Sequence, residues 1–241
     1  MAPRARWLLL ALPLALAAAH ASPTLTWRWP GRYLFPAVRH VPGVRAVGLT
    51  FDDGPDPAAL DPLLRQLADL GARATFFVTG EQVEAWPAGV RAILAAGHEV
   101  GLHGYRHDRH RRLPPWAAIA DLRRGRAIVE DATGRPVELF RPPYGTFSLA
   151  TWLEVRRQGW TPVLWNRDGR DWAPDATPAT ILASLGTLQP GDILLLHDSD
   201  RYGTPGSWRT TLAALPRLAE RAAAAGLPLR SVGELLRWEG R

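Results

Sequence analysis

From Arg45 onward the chain alternates short apolar, β-branched runs with longer stretches whose apolar residues recur every three or four positions. An unbroken apolar run bounded by turn residues predicts a buried strand, and the longer period predicts an amphipathic helix. Residues 46–51 form the first predicted strand. Residues 57–70 follow as a helix, with Leu60, Leu63, Leu64 and Leu67 on one face and Gly71 as its stop. Residues 74–79 are strand-like, a helix carrying Val83, Val90, Ile93 and Leu94 ends at Gly97, and 98–102 is a short strand. A long helix over 115–133 stops at Gly134 before a strand at 137–140, and a helix over 149–158 stops at Gly159 before a strand at 161–165. Residues 178–188 are helical, 192–196 a strongly apolar strand, and 208–225 a helix closed by Gly226. A last short strand and a helix over 232–238 end the chain.

Alternation of this length predicts a parallel sheet with helices outside it, either a barrel or an open doubly wound sheet. No internal repeat or low-complexity linker divides it, and 241 residues suit a single α/β domain. Residues 22–45, with Pro23, Pro30, Pro36 and Pro42, read as an irregular lead-in, and 46–241 as the folded domain. Before them, Arg4 and Arg6 precede an apolar run over 7–19 and then Ala19-His20-Ala21. That order matches a secretory signal over residues 1–21, cleaved after Ala21, and predicts an exported protein, extracellular, periplasmic or held at the cell envelope. The apolar run is shorter than the ~20 residues that span a bilayer. An uncleaved anchor is the alternative, and the only route it leaves to a membrane.

Composition changes this picture in two respects. There is no cysteine, so disulfides and thiolate metal sites are excluded and any metal must be held by His, Asp or Glu. Every basic residue is Arg, which reads as the codon bias of a GC-rich genome. The net charge of +6 falls to +4 without residues 1–21, a basic balance suited to an anionic envelope. The arginines are dispersed and no nucleic-acid motif accompanies them, so no nucleic-acid partner is expected. Neither G-x-G-x-x-G nor a Walker loop is present, which weakens nucleotide binding.

Polar residues then fall at the ends of the predicted strands. Asp52 and Asp53 follow the first strand, His103 and His107 the strand at 98–102, and Arg141 the strand at 137–140. Asp168 and Asp171 follow 161–165, and His197 follows 192–196. In a parallel βα fold these ends share one rim, where α/β proteins place their chemistry. The four-residue step from His103 to His107 predicts two imidazoles on one side of a helical turn, able to chelate one ion beside a carboxylate. His110 is a third candidate, but it sits in the Arg-rich run 109–112 and reads as solvated, whereas His98, at the other end of its strand, reads as structural. Two His and one Asp leave coordination positions open, the mark of a catalytic site. Zinc is the expected ion, with Co, Ni or Mn also suited to nitrogen and oxygen donors. One of the two aspartates must stay off the ion to act as base, and spacing alone does not decide which.

Five ordered segments carry a family resemblance: Thr50-Phe-Asp-Asp-Gly-Pro55, His103-x-x-x-His107, Arg141-Pro-Pro-Tyr144, Asp168-Gly-Arg-Asp-Trp172 and Leu195-Leu-His-Asp198. Together they resemble the motifs of the polysaccharide deacetylases, the NodB-homology group or carbohydrate esterase family four. The resemblance runs over about residues 45–238. It implies a distorted (β/α) barrel and metal-dependent N-deacetylation of an acetylated amino-sugar glycan. Carried over to this chain, it makes Asp52 the general base and Asp53, His103 and His107 the metal ligands. Arg141 would keep Asp52 ionised, and the Tyr144 backbone N–H would stabilise the oxyanion. His197 would be the general acid, oriented by Asp171, while Trp172 and Leu195 would line the acetyl pocket.

This chain departs from the pattern at Gly104, Leu102 and Asn166-Arg-Asp168, which places the identity of the glycan in question. The segments 106–112 and 198–208 are polar enough to face a substrate. Two other readings compete. The same two His and one carboxylate could form the facial triad of an iron oxygenase, normally an antiparallel jelly roll. Alternatively, the chain could be a glycan-binding envelope protein that has lost its chemistry.

Overall fold

Six consecutive buried residues, Val47–Asp52, form strand β1, around which the sheet is built. The computed structural model describes residues 14–28 and 30–238. Seven further strands follow in chain order: β2 (Thr75–Val78), β3 (Glu99–Leu102), β4 (Leu139–Phe140), β5 (Thr161–Pro162), β6 (Arg167–Asp168), β7 (Ile193–His197) and β8 (Leu229–Arg230). They lie in the order β5-β4-β3-β2-β1-β7-β6, with β8 also on β1. Every pairing is parallel. Parallel strands need crossovers, and here helices supply them: α1 (Leu60–Asp69), α2 (Gly80–Ala85), α3 (Pro87–Ala95), α4 (Pro115–Thr133), α5 (Leu149–Gln158), α6 (Pro178–Leu185), α7 (Ser207–Ala224) and α8 (Val232–Leu236). The result is a curled (β/α) half-barrel in a single domain, not an open doubly wound sheet.

The helices form where the pattern predicts them, with one exception. The predicted helix ending at Gly97 is two helices, because Pro87 lacks an N–H and opens a new first turn while Trp86 leaves helical geometry at φ −145°. Local capping fixes other starts. Ser148 with Thr151, Thr177 with Thr180 and Ser231 with Glu234 each form reciprocal capping boxes, satisfying amide donors that a first turn leaves free. Leu60, Leu63 and Leu67 of α1 enter the main core with Phe51, Phe76 and Phe140 from the sheet. Phe51 and Phe76 lie 5.2 Å apart, and each buried ring of this kind contributes about 2–3 kcal/mol.

Residues 22–45 do not pair as a strand of their own, yet they pack against the barrel. Ser22–Trp27 is a 3₁₀ helix and Gly31–Leu34 a single helical turn. Val38 then bridges to Val163, just after the edge strand β5, and His40 to Asp192, just before β7. The Val38 N–H donates to Pro162 O at 2.8 Å, and Val41 N–H to Gly191 O at 2.9 Å. The predicted signal falls partly outside the described residues, which begin at 14; residues 14–21 are helical, and His20 donates to Leu113 O at 3.1 Å. No helix among the described residues is long and apolar enough to cross a membrane.

Candidate active site

Register brings the site together. Asp52 is the Cα partner of His197 across β1 and β7, and of Phe77 across β1 and β2. One strand further on, β3 ends at Leu102, opposite Phe140, so that His103 and Arg141 leave adjacent strand ends. Gly54 allows the chain after β1 to pass close beneath Asp198. A Cβ there would lie 2.0 Å from Asp198 Oδ2, and the Gly54 N–H donates to Asp198 Oδ1 at 2.9 Å.

Asp53 is the point on which two imidazoles converge. Its Oδ1 lies 3.5 Å from His103 Nε2 and 3.4 Å from His107 Nε2. His103 Nδ1 donates to the Arg141 carbonyl at 2.8 Å, which leaves the Nε2 lone pair facing Asp53. Burial, only partly opposed by that hydrogen bond, brings His103 down to about 3; burial and the neighbouring His103 bring His107 to about 3 as well. Both imidazoles are therefore neutral, the form that binds metal. Asp53 Oδ1 is buried and accepts no hydrogen bond among the described residues. Burial raises Asp53 to about 7, against the opposing charge of His197 and with Asp52 and Asp171 adding. An unpartnered carboxylate oxygen facing two neutral imidazole nitrogens, all within 4.8 Å, fits a cation.

Asp52 takes a different environment from its neighbour. Arg141, fully buried, donates from Nη1 to Asp52 Oδ1 at 2.6 Å and to Thr50 Oγ1 at 2.7 Å, and from Nη2 to Leu164 O at 3.0 Å. Burial raises the Asp52 pKa, while the Arg141 charge opposes it. The second oxygen, Oδ2, stands 3.7 Å from His103 Nε2, beside the cluster and without a hydrogen bond to it.

His197 borders the cluster from β7, its Nε2 4.0 Å from Asp53 Oδ2. Its Nδ1 donates to Asp171 Oδ1 at 2.7 Å. The buried Asp171 also accepts the His197 N–H and the Thr211 hydroxyl. Burial disfavours the imidazolium, but the charge and hydrogen bond of Asp171 outweigh it, Asp53 and Asp52 add, and His197 is pushed up to about 10.

The rim around these groups is aromatic. Tyr144, at φ +58°, sets its ring 4.4 Å from His107, and Tyr202 stacks on His107 at 4.3 Å. The Arg109 guanidinium lies 3.7 Å from the Tyr144 ring centre. Trp172 is 40% exposed, whereas Leu195 is buried in β7 on the same strand face as His197.

Two sequence expectations need correction. Residues 103–109 form no helical turn; the imidazoles converge because Asp121 of α4 accepts the N–H groups of Tyr105 at 2.9 Å and Arg106 at 3.0 Å and braces the loop. His110 is not solvated but fully buried, with Nε2 3.2 Å from Asp121 Oδ2 and its ring parallel to Phe140. Asp168 lies apart from the cluster, accepting the Arg170 N–H in its own turn. Asn166 and Arg167 both bind Asp192 at the start of β7, so that departure from the family pattern serves the sheet. Asp121, Thr211 and Tyr202 also serve the site without being singled out by the sequence. Asp121 and Thr211 are ordinary helix residues by sequence, while Tyr202 carried a signal in the polar loop 198–208.

An iron-oxygenase jelly roll is excluded by the all-parallel sheet. The polysaccharide deacetylase family profile matches residues 40–163. A peptidoglycan-N-acetylglucosamine deacetylase of Bacillus cereus is 33% identical, over 81% of this chain and 90% of its own length. A chitooligosaccharide deacetylase of Sinorhizobium fredii is 34% identical over 83% and 96%. A family 4 carbohydrate esterase of Streptomyces lividans, solved with acetate, superposes with a TM-score of 0.68 at 34% identity, covering 76% of this chain and 91% of that one. With the motifs, the half-barrel and these relatives in agreement, the chain belongs to the polysaccharide deacetylases of carbohydrate esterase family 4, hydrolases of non-peptide amide C–N bonds.

Proposed function

We propose that this chain removes N-acetyl groups from an acetylated amino-sugar glycan of the envelope, peptidoglycan or chitin type, after export. One observation carries the reading: Asp52 and His197 both border the Asp53–His103–His107 group, Asp52 Oδ2 3.7 Å from His103 Nε2 and His197 Nε2 4.0 Å from Asp53 Oδ2. Asp53, His103 and His107 would hold a divalent ion, zinc by preference of its donors. When bound, that ion would polarise the acetamide carbonyl and make a nearby water more acidic.

The chain's own residues supply the rest. Asp52, its Oδ1 engaged by Arg141, offers Oδ2 to take the proton from the attacking water. The Tyr144 backbone N–H, presented by a left-handed turn, donates to the oxygen that gains charge. The His197 Nδ1–H is fixed on Asp171, so its Nε2 proton is the one delivered to the departing amine. Trp172 and Leu195 form the walls around the acetyl methyl. Relatives that act on peptidoglycan and on chitooligosaccharides support the glycan class.

The test is acetate release from a panel of N-acetylated glycans, with and without chelator. Chelator-sensitive release supports the reading. No release from any glycan by the zinc-loaded chain would favour a glycan-binding protein without chemistry.

A further inference from the structure

The lead-in segment reaches the turn that carries Tyr144 through Trp27. Its indole N–H donates to the Gly145 carbonyl at 2.8 Å. Gly145 ends the Pro143–Gly145 turn that presents Tyr144, and its N–H closes that turn on Pro142 O at 2.9 Å. The turn is packed as well as bonded. A Cβ on Gly145 would lie 2.7 Å from the Trp165 ring and 3.1 Å from Trp27, at a φ of +63°. Trp27 and Trp165 meet edge to face at 5.2 Å, and the Arg141 guanidinium lies 5.5 Å from the Trp165 ring.

Trp27 is itself held from the barrel wall. Arg39 donates to both the carbonyl and the hydroxyl of Thr26, and its guanidinium stands 5.2 Å from the Trp27 ring. Arg39 lies between Val38 and His40, which bridge to Val163 and Asp192 of the barrel. A series of contacts thus runs from the barrel wall through Arg39 and Trp27 to the Gly145 carbonyl. A non-glycine residue at φ +58° persists only where its surroundings hold it, and this series supplies the hold.

We propose that Trp27 is a positioning residue that fixes the Tyr144–Gly145 turn, and with it the direction of the Tyr144 N–H. This rests on the deacetylase reading, in which that N–H meets the developing oxyanion. An oxyanion donor acts in the transition state and not in ground-state binding, so loosening it lowers kcat without raising KM.

The test uses the full chain loaded with zinc and a glycan from which it releases acetate. Trp27→Phe keeps a ring and removes the donor. The expected result is a kcat lower by about three- to tenfold, the worth of one neutral hydrogen bond. KM and zinc affinity stay at their wild-type values, and the melting temperature falls by no more than the few degrees that one lost hydrogen bond costs. Should Trp27→Phe not fold, Arg39→Gln, which frees Trp27 without removing it, is expected to give the same split. An unchanged kcat overturns the proposal, as does a loss that appears in KM or zinc affinity, or a melting temperature lowered far beyond a few degrees. A wild-type chain releasing no acetate from any glycan removes the deacetylase reading and this one together; an active wild type with an unaffected variant removes only the role of Trp27.

Discussion

Arg141 and Asp52 form an ion pair sealed from solvent, Nη1 to Oδ1 at 2.6 Å, with the guanidinium lying 4.1 Å over the Phe77 ring. Deleting one member of such a pair strands a buried charge, at a cost of about 3–5 kcal/mol. Arg141→Met is therefore expected to lower the melting temperature. It also removes the charge that opposes the burial-driven rise of the Asp52 pKa. In whatever variant remains folded, the acid limb of the rate profile moves to higher pH. An acid limb that stays in place would remove Arg141 from the control of the proposed base.

The proposed acid gives the other limb. Asp171→Asn deletes the charge that holds His197 up to about 10, so the alkaline limb of kcat should move down in pH. The pair also enters stability. His197 is charged more readily folded than unfolded, so its contribution is complete below its ordinary 6.5 and fades as pH rises towards 10. Melting temperatures across that window should fall more steeply for wild type than for Asp171→Asn. Parallel curves would contradict it.

Metal dependence separates the two neighbouring aspartates. Asp52→Asn is expected to keep zinc affinity while losing activity by about 10²–10⁴-fold, the range of a general base. His103→Ala and Asp53→Asn should lose both. Calorimetric zinc titration beside acetate release reads the difference. Weak zinc binding by Asp52→Asn, with Asp53→Asn unaffected, would exchange the roles.

Asp121 never touches the cluster but braces the loop that carries His107. Asp121→Asn should weaken zinc binding by about 10–100-fold, the usual effect of disturbing a ligand's support. The same titration checks it, and wild-type affinity would show that the loop holds without the brace.

His98 predicts an acid limit on the fold. Burial first, then the Arg73 charge, lower it from 6.5 to about 4, and its Nδ1 accepts the Ala74 N–H at 3.3 Å. A neutral imidazole in the folded chain gives stability that is present above the ordinary pKa and fades as pH falls from 6.5 towards 4. His98→Asn should flatten that part of the stability curve, read by chemical denaturation at stepped pH.

Much of this was legible in the sequence because strand ends in a parallel sheet share a rim. Placing Asp52, His103, Arg141 and His197 after apolar runs was enough to bring them together. The five ordered segments supplied the family. What the sequence concealed depended on contacts between distant elements. Nothing near His110 announces that Asp121 and Phe140 will enclose it, and an Arg-rich flank argues the reverse. The step between His103 and His107 has the right length for a helical turn, but Asp121 shapes it as a braced loop. The break at Trp86 was readable, since Pro87 forbids a continuous helix there.

The bridges at Val38 and His40 bear on how this chain can be cut. A fragment beginning at Ala46 would keep all five motifs yet leave the outer flank of β5 bare, its unpaired Pro162 carbonyl and Leu164 amide free to recruit another strand. Such a fragment should clump in solution although every group proposed for catalysis is still in it, and shortening the amino-terminal side is safe only as far as it spares the crossing at 38–41.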